Sequence, residues 1–142
     1  MIRTSLGLLT LAVAFLSLPA NSRGEEKEKK VDNRVFEMRT YYANPGKMKA
    51  LHARFADHTI KLFQKHGMTV IGFWSPIDPK GAEEKLVYIL AYPSKEAADK
   101  SWTAFRNDPD WKRARDDSEK EGPLVMKVES VYLNPTDYSP IK

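Results

Sequence analysis

The chain contains no cysteine. That absence excludes disulfides, thiolate metal sites, a cysteine nucleophile and lipid attachment at a cysteine. Histidine is scarce: only His52, His58 and His66 are present, and all three fall on one predicted helix. At ~1.5 Å rise per residue, the closest two stand ~9 Å apart along its axis. This is not the i, i+4 spacing with which two histidines grip one metal. Nothing in the spacing demands a haem, so no cofactor is predicted and no metal site is expected. The seven glycines form no phosphate-cradling loop, and Gly81 stands isolated in a polar stretch. No apolar run reaches the ~20 residues of a membrane span.

What is present begins with a leader. Arg3 supplies a positive start, and residues 6–18 form an apolar run of h-region length. Ala20-Asn21-Ser22 fits the small-x-small cleavage pattern. Residues 1–22 are therefore expected to be a signal peptide, leaving an exported protein, periplasmic or secreted, with no stable membrane anchor. Losing Arg3 lowers the net charge from +4 to +3. The basic residues are interleaved with acids, as in residues 112–120, which describes a solvated surface and not a stripe for nucleic acid. Residues 23–33 are charged and apolar-poor, so they read as a disordered spacer.

The remainder, 34–142, reads as one α+β domain. Residues 34–42 alternate with β-branched and aromatic side chains and predict a strand. Asn44-Pro45-Gly46 supplies turn chemistry. A helix is predicted over 47–66, with Met48, Leu51, Phe55, Thr59, Leu62 and Phe63 on one face; Gly67 stops it. Strands follow over 68–75 and 85–92, separated by a polar loop over 76–84. Ser94 can cap a helix that carries Ala97, Ala98, Trp102 and Phe105 on one side. Asp108-Pro109 breaks it and opens a short helix through Trp111 and Ala114. Residues 124–133 form the fourth strand. The order β-α-β-β-α-β gives a ferredoxin-like, four-stranded antiparallel sheet with both main helices on one face.

The strand alternation also implies a partner. Phe36, Met38, Val87, Ile89 and Ala91 are assigned to the helix side. That leaves Val35, Glu37, Arg39 and Tyr41, with Leu86, Tyr88, Leu90 and Tyr92, on the open side. A face so apolar and aromatic is unusual on a monomer, so a homodimer that packs two such faces together is expected.

Several segments resemble a known family. Glu37-Met38-Arg39-Thr40-Tyr41 followed by Pro45-Gly46 is similar to the opening strand of NIPSNAP domains. Gly72-Phe73-Trp74, the Asp108-Pro109-Asp110-Trp111 break, and the last strand running into Leu133-Asn134-Pro135-Thr136 resemble that family as well. The resemblance covers residues 35–139 and implies a dimeric α/β barrel whose two sheets face one another. It implies no catalytic residues. The fold does not choose a reaction.

Candidate chemistry centres on the first strand. Glu37, Arg39 and Tyr41 share a face at period two. There they could hold a small anionic or oxygenated ligand, because the arginine fork makes paired hydrogen bonds. The reading placed ahead of this is a structural Glu–Arg network at the dimer interface, because charges buried between subunits must be paired whatever the function. Trp74 and Tyr88 are assigned to the wall of the same ligand site, between the sheets. His58 is a candidate acid–base group or a hydrogen-bonded packing histidine. The expected function is an exported, dimeric, small-ligand-binding or interaction module. The alternative is a cofactor-independent enzyme, monooxygenase- or isomerase-like, anchoring its substrate on Arg39 and moving protons through Glu37, Tyr41 or His58.

Overall fold

A computed structural model describes residues 34–142; the leader and the spacer lie outside the described residues. Strand β1 (Val35–Ala43) is followed by α1 (Met48–Arg54), a π-helical turn (Phe55–Thr59) and α2 (Ile60–Lys65). Then come β2 (Thr69–Trp74), α3 (Pro79–Glu84), β3 (Lys85–Tyr92), α4 (Lys95–Asn107), α5 (Pro109–Ser118) and β4 (Val125–Leu133). The sheet order is β2-β3-β1-β4, and every neighbouring pair is antiparallel. This is the ferredoxin-like arrangement expected.

Local chemistry explains the element ends. Gly67 takes φ +74°, and Met68 N–H reaches back to the Phe63 carbonyl at 2.9 Å, closing α2 in the manner that favours glycine. Ser94 accepts a hydrogen bond from Ala97 N–H at 3.1 Å. Asp108 accepts from Asp110 N–H at 2.7 Å and precedes Pro109 at the start of α5. The predicted apolar face of the first helical stretch is buried in full: Met48, Leu51, Phe55, Thr59, Leu62 and Phe63. The π turn within it is held by the Thr59 hydroxyl, which donates to the Arg54 carbonyl five residues back at 3.1 Å.

Two expectations are corrected. The segment 76–84 is not all loop, because the Asp78 carboxylate accepts from Gly81 N–H at 2.7 Å and Pro79 occupies the first turn of α3. Gly81 therefore sits inside a helical turn and is not an isolated loop glycine.

The second correction concerns the sheet faces, which are inverted. Leu86, Tyr88, Leu90 and Tyr92 are buried in the core with Leu51, Phe63, Trp102 and Phe105 of the helices, so they and Glu37 lie on the helix side. Met38, Val87 and Ile89 face away and are only partly buried. Phe36 on that face is covered beside tail residues Pro135, Thr136 and Ile141. Alternation defines two sides of a strand but not which one the helices cover. The deciding factors are the larger tyrosines, which fill the space under the helices, and the donors that Glu37 needs.

Candidate functional site

Glu37 is 1% exposed and accepts four hydrogen bonds. Oε1 receives Arg39 Nη1 at 2.7 Å and the Ser130 hydroxyl at 2.6 Å. Oε2 receives the Tyr92 hydroxyl at 2.8 Å and Trp102 Nε1 at 2.6 Å. The donors come from β1, β3, β4 and α4, so one carboxylate ties the three adjoining strands to the helix above them. Burial alone would raise its pKa. The hydrogen bonds from Ser130, Trp102 and Tyr92, with the Arg39 charge, outweigh burial and hold the carboxyl below its ordinary value.

Glu37 in turn positions Arg39. The guanidinium carbon stands 4.3 Å from the Trp102 ring centroid and 5.7 Å from that of Tyr41, so it is stacked as well as paired. Burial works against its charge, but Tyr88, Tyr41 and Glu37 favour it, and the net shift is upward. The Glu37 carboxylate is its charged partner. One edge of the fork remains unmet: Nε is buried with no hydrogen-bond partner. Directly across the ladder from Arg39 is Tyr88, whose buried hydroxyl is likewise unpaired. Burial, and behind it the neighbouring Tyr41, push the Tyr88 phenol well above its ordinary value. It therefore remains a neutral donor.

Arg39 opens onto a cleft of about 270 Å³ between β1 and the helices α4 and α5. Tyr41, Trp102, Phe105 and Trp111 form its walls, and Arg106 and Arg115 complete the lining. Phe105 and Trp111 pack at a centroid distance of 4.5 Å. Arg115 pairs with Asp116 at 2.8 Å, whereas Arg106 has no acidic partner among the described residues. The cleft thus combines aromatic walls with three guanidinium groups, of which Arg39 is neutralised locally by Glu37.

The structure brings Glu37, Arg39, Tyr41 and Tyr88 together, but under the helices and not on the face that would meet a second sheet. Trp74 does not join them. Its direct partner is Val87 on the open face, and its ring lies over Gly72, where an added Cβ would stand 2.8 Å from it. His58 is exposed on the outer side of the helical stretch near Asp57 and Asp117, far from any role at Arg39. His52 is exposed, and His66 bonds Asp108 at 2.6 Å. The sequence reading missed Tyr92, Trp102 and Ser130 as ligands of Glu37, and Arg106 and Arg115 as cleft residues. Trp102 carried a signal, because a buried indole N–H needs an acceptor. The two arginines carried none.

A family model described as NIPSNAP matches residues 36–140. No curated protein matches the chain. Among solved structures, an uncharacterised NIPSNAP-like domain protein from Burkholderia xenovorans is 18% identical with a TM-score of 0.65, covering 77% of this chain and 90% of that one. A NIPSNAP family protein of unknown function from Agrobacterium tumefaciens is 22% identical with a TM-score of 0.66, covering 79% and 96%. A second from the same organism is 19% identical with a TM-score of 0.66, covering 77% and 99%. At these identities the likeness bears on the fold alone.

Proposed function

This chain belongs to the NIPSNAP family, and within it we propose an exported, dimeric domain that binds a small molecule in the Arg39 cleft. The observation that carries the reading is the buried, unpartnered Nε of Arg39 beside the equally unpartnered hydroxyl of Tyr88. Buried donors are almost always satisfied in native proteins. Two exceptions on residues paired across the β1–β3 ladder, with Arg39 lining an aromatic cleft, are accounted for by an acceptor that the folded chain does not itself supply.

Binding is favoured over turnover by the state of the groups nearest the cleft. Glu37 has every strong acceptor position filled and is held ionised. Tyr88 is held neutral. Neither is poised to exchange a proton near neutral pH. The enzyme reading, with Arg39, Glu37, Tyr41 and His58 around a space between two sheets, loses the geometry it rests on.

Dimerisation is supported by a different set of residues from those first assigned. Met38, Val87 and Ile89 of the central strands, with Val131 and Leu133 of β4, make an apolar open face that packing against a second copy would cover. Export is supported by the leader sequence, and mass spectrometry of the native protein should find its N-terminus near Arg23. An intact Met1 on a cytosolic protein would refute it.

The binding reading is tested by untargeted mass spectrometry of protein purified from its native host, with thermal melts against a set of small organic anions. A compound that is released on denaturation and raises the melting temperature is expected. If nothing co-purifies and no anion stabilises the protein, the reading fails.

A further inference from the structure

Resting on the reading of the cleft as a ligand site, we propose that its ligand class is a flat aromatic carboxylate, the carboxylate set on the free edge of Arg39 and the Tyr88 hydroxyl, the ring between the aromatic walls. The Arg39 guanidinium is only partly used by the fold. Its Nη1 is committed to Glu37. The opposite edge, Nε–H with Nη2, is a side-on fork of two parallel donors, and neither takes part in a hydrogen bond among the described residues. A carboxylate matches such a fork with two parallel bonds.

The unmet groups decide the sign of the ligand. Arg39 Nε can only donate, and the Tyr88 hydroxyl has its proton to offer. The Tyr88 hydroxyl is the one unsatisfied buried side-chain group among the described residues that can also accept, so a ligand that is itself a donor has one group to meet here against two for an acceptor. The walls decide the rest. Tyr41, Trp102, Phe105 and Trp111 present ring surfaces, which suit a planar apolar body better than a strongly hydrated phosphate. At about 270 Å³ the cleft falls just below the ~300–1,000 Å³ of drug-sized pockets, so one or two fused rings fit. Arg106, exposed at the cleft, adds long-range attraction for an anion. Tyr88 lies behind Tyr41, with ring centroids 5.4 Å apart. Tyr41 is thus the side chain that must turn to admit the carboxylate, a rotamer change ordinary on binding.

The three tryptophans supply the assay. Trp102 and Trp111 line the cleft, while Trp74 sits on the opposite face of the sheet and serves as an internal control. The ¹⁵N-labelled protein is titrated with 2-naphthoate, with its neutral isostere 2-naphthamide, with hexanoate and with inorganic phosphate. The indole N–H signals are followed throughout. 2-Naphthoate should shift Trp102 and Trp111 but not Trp74, and the other three should bind about tenfold more weakly or worse. Tyr88→Phe should weaken 2-naphthoate about tenfold without lowering the melting temperature, because it removes only an unpaired buried hydroxyl.

The outcomes separate the ligand class from the existence of the site. Equal shifts of Trp102 and Trp111 by hexanoate, phosphate or 2-naphthamide would overturn the aromatic carboxylate and leave a small-molecule site. Unchanged 2-naphthoate affinity in Tyr88→Phe would overturn the placement of the carboxylate. Silence of Trp102 and Trp111 toward every probe would overturn this proposal, and with no co-purifying compound it would remove the ligand site as well.

Discussion

Glu37→Gln is nearly isosteric, so its cost measures hydrogen-bond logic and charge, not packing. Each Glu37 oxygen receives one donor that can reverse and one that cannot. Oε1 has the Ser130 hydroxyl and Arg39 Nη1; Oε2 has the Tyr92 hydroxyl and Trp102 Nε1. A hydroxyl can turn and accept, but a guanidinium and an indole N–H cannot. Whichever way the glutamine amide is set, its NH₂ meets one of the two obligate donors, and Arg39 loses its counter-charge. Stranding one member of a buried ion pair costs about 3–5 kcal/mol. The Arg39 side chain is 18% exposed, so water relieves part of this and about 3 kcal/mol, the lower end, is expected. For a domain of this size each kcal/mol lowers the melting temperature by about 4–8 °C, giving a fall of roughly 12–24 °C. Urea unfolding at neutral pH, followed by far-UV circular dichroism, measures it. The double variant Glu37→Gln/Arg39→Met should be less destabilised than the sum of the singles, because removing both charges leaves neither stranded. A loss under about 1 kcal/mol for Glu37→Gln at unchanged m-value would refute the reasoning, because the carboxylate would then not be the hub of the fold.

The remaining expectations are narrower. Glu37 has a folded pKa below its ordinary 4.5, so the stability it confers is full above that value and drains as pH falls through the depressed one. Asp108, lowered by its hydrogen bonds from Lys65 and His66, adds to the same acid slope. Urea midpoints in the acid range should therefore fall less steeply in Glu37→Gln than in the parent, and equal slopes would discount the Glu37 shift. Ile89→Lys, on the open face, should convert the proposed dimer to a monomer in sedimentation equilibrium with the helical signal intact; a persistent dimer would place the interface elsewhere. Gly72→Ala puts a methyl 2.8 Å from the Trp74 ring and should move the Trp74 indole signal with a stability change within about 1 kcal/mol. An unmoved Trp74 signal would mean that the backbone, not the ring, gives way.

The positions of the strands and main helices were legible because each rests on local chemistry: alternation in β1 and β3, helical spacing from Met48 to Phe63, caps at Ser94 and Asp108. The helical turn α3 was hidden by the polar, proline-containing composition of its segment, although Asp78-Pro79 is itself a start signal of the kind that was recognised at Asp108-Pro109. The facing of the sheet was not legible. Both faces of β1 and β3 carry apolar side chains, so alternation is symmetric between them. What breaks the symmetry is a long-range requirement: Glu37 can be buried only where Trp102, 65 residues away, Tyr92 and Ser130 supply donors. The grouping of Glu37, Arg39, Tyr41 and Tyr88 survived the inversion because they share one face whichever way that face points. Arg106 and Arg115 join them only through the packing of α4 and α5 on β1, which no local pattern encodes.

The π turn at Phe55–Thr59 makes the first helical stretch unusually tolerant in one place. A residue removed from a regular helix turns everything beyond it by about 100°, which here would swing Leu62 and Phe63 off the core and carry His66 away from Asp108. A π turn is a regular turn with one residue too many, bulged outward while the flanking helices keep their phase. Ala56 and Asp57 lie on its exposed side. Deleting either one lets the backbone fall back into an ordinary α-helical ladder, with Met48 and Leu51 on one side of the join and Leu62 and Phe63 on the other still facing inward. Length and orientation are uncoupled at this point, so the helix has a built-in slot where its residue count can change by one while its packing face keeps its aim.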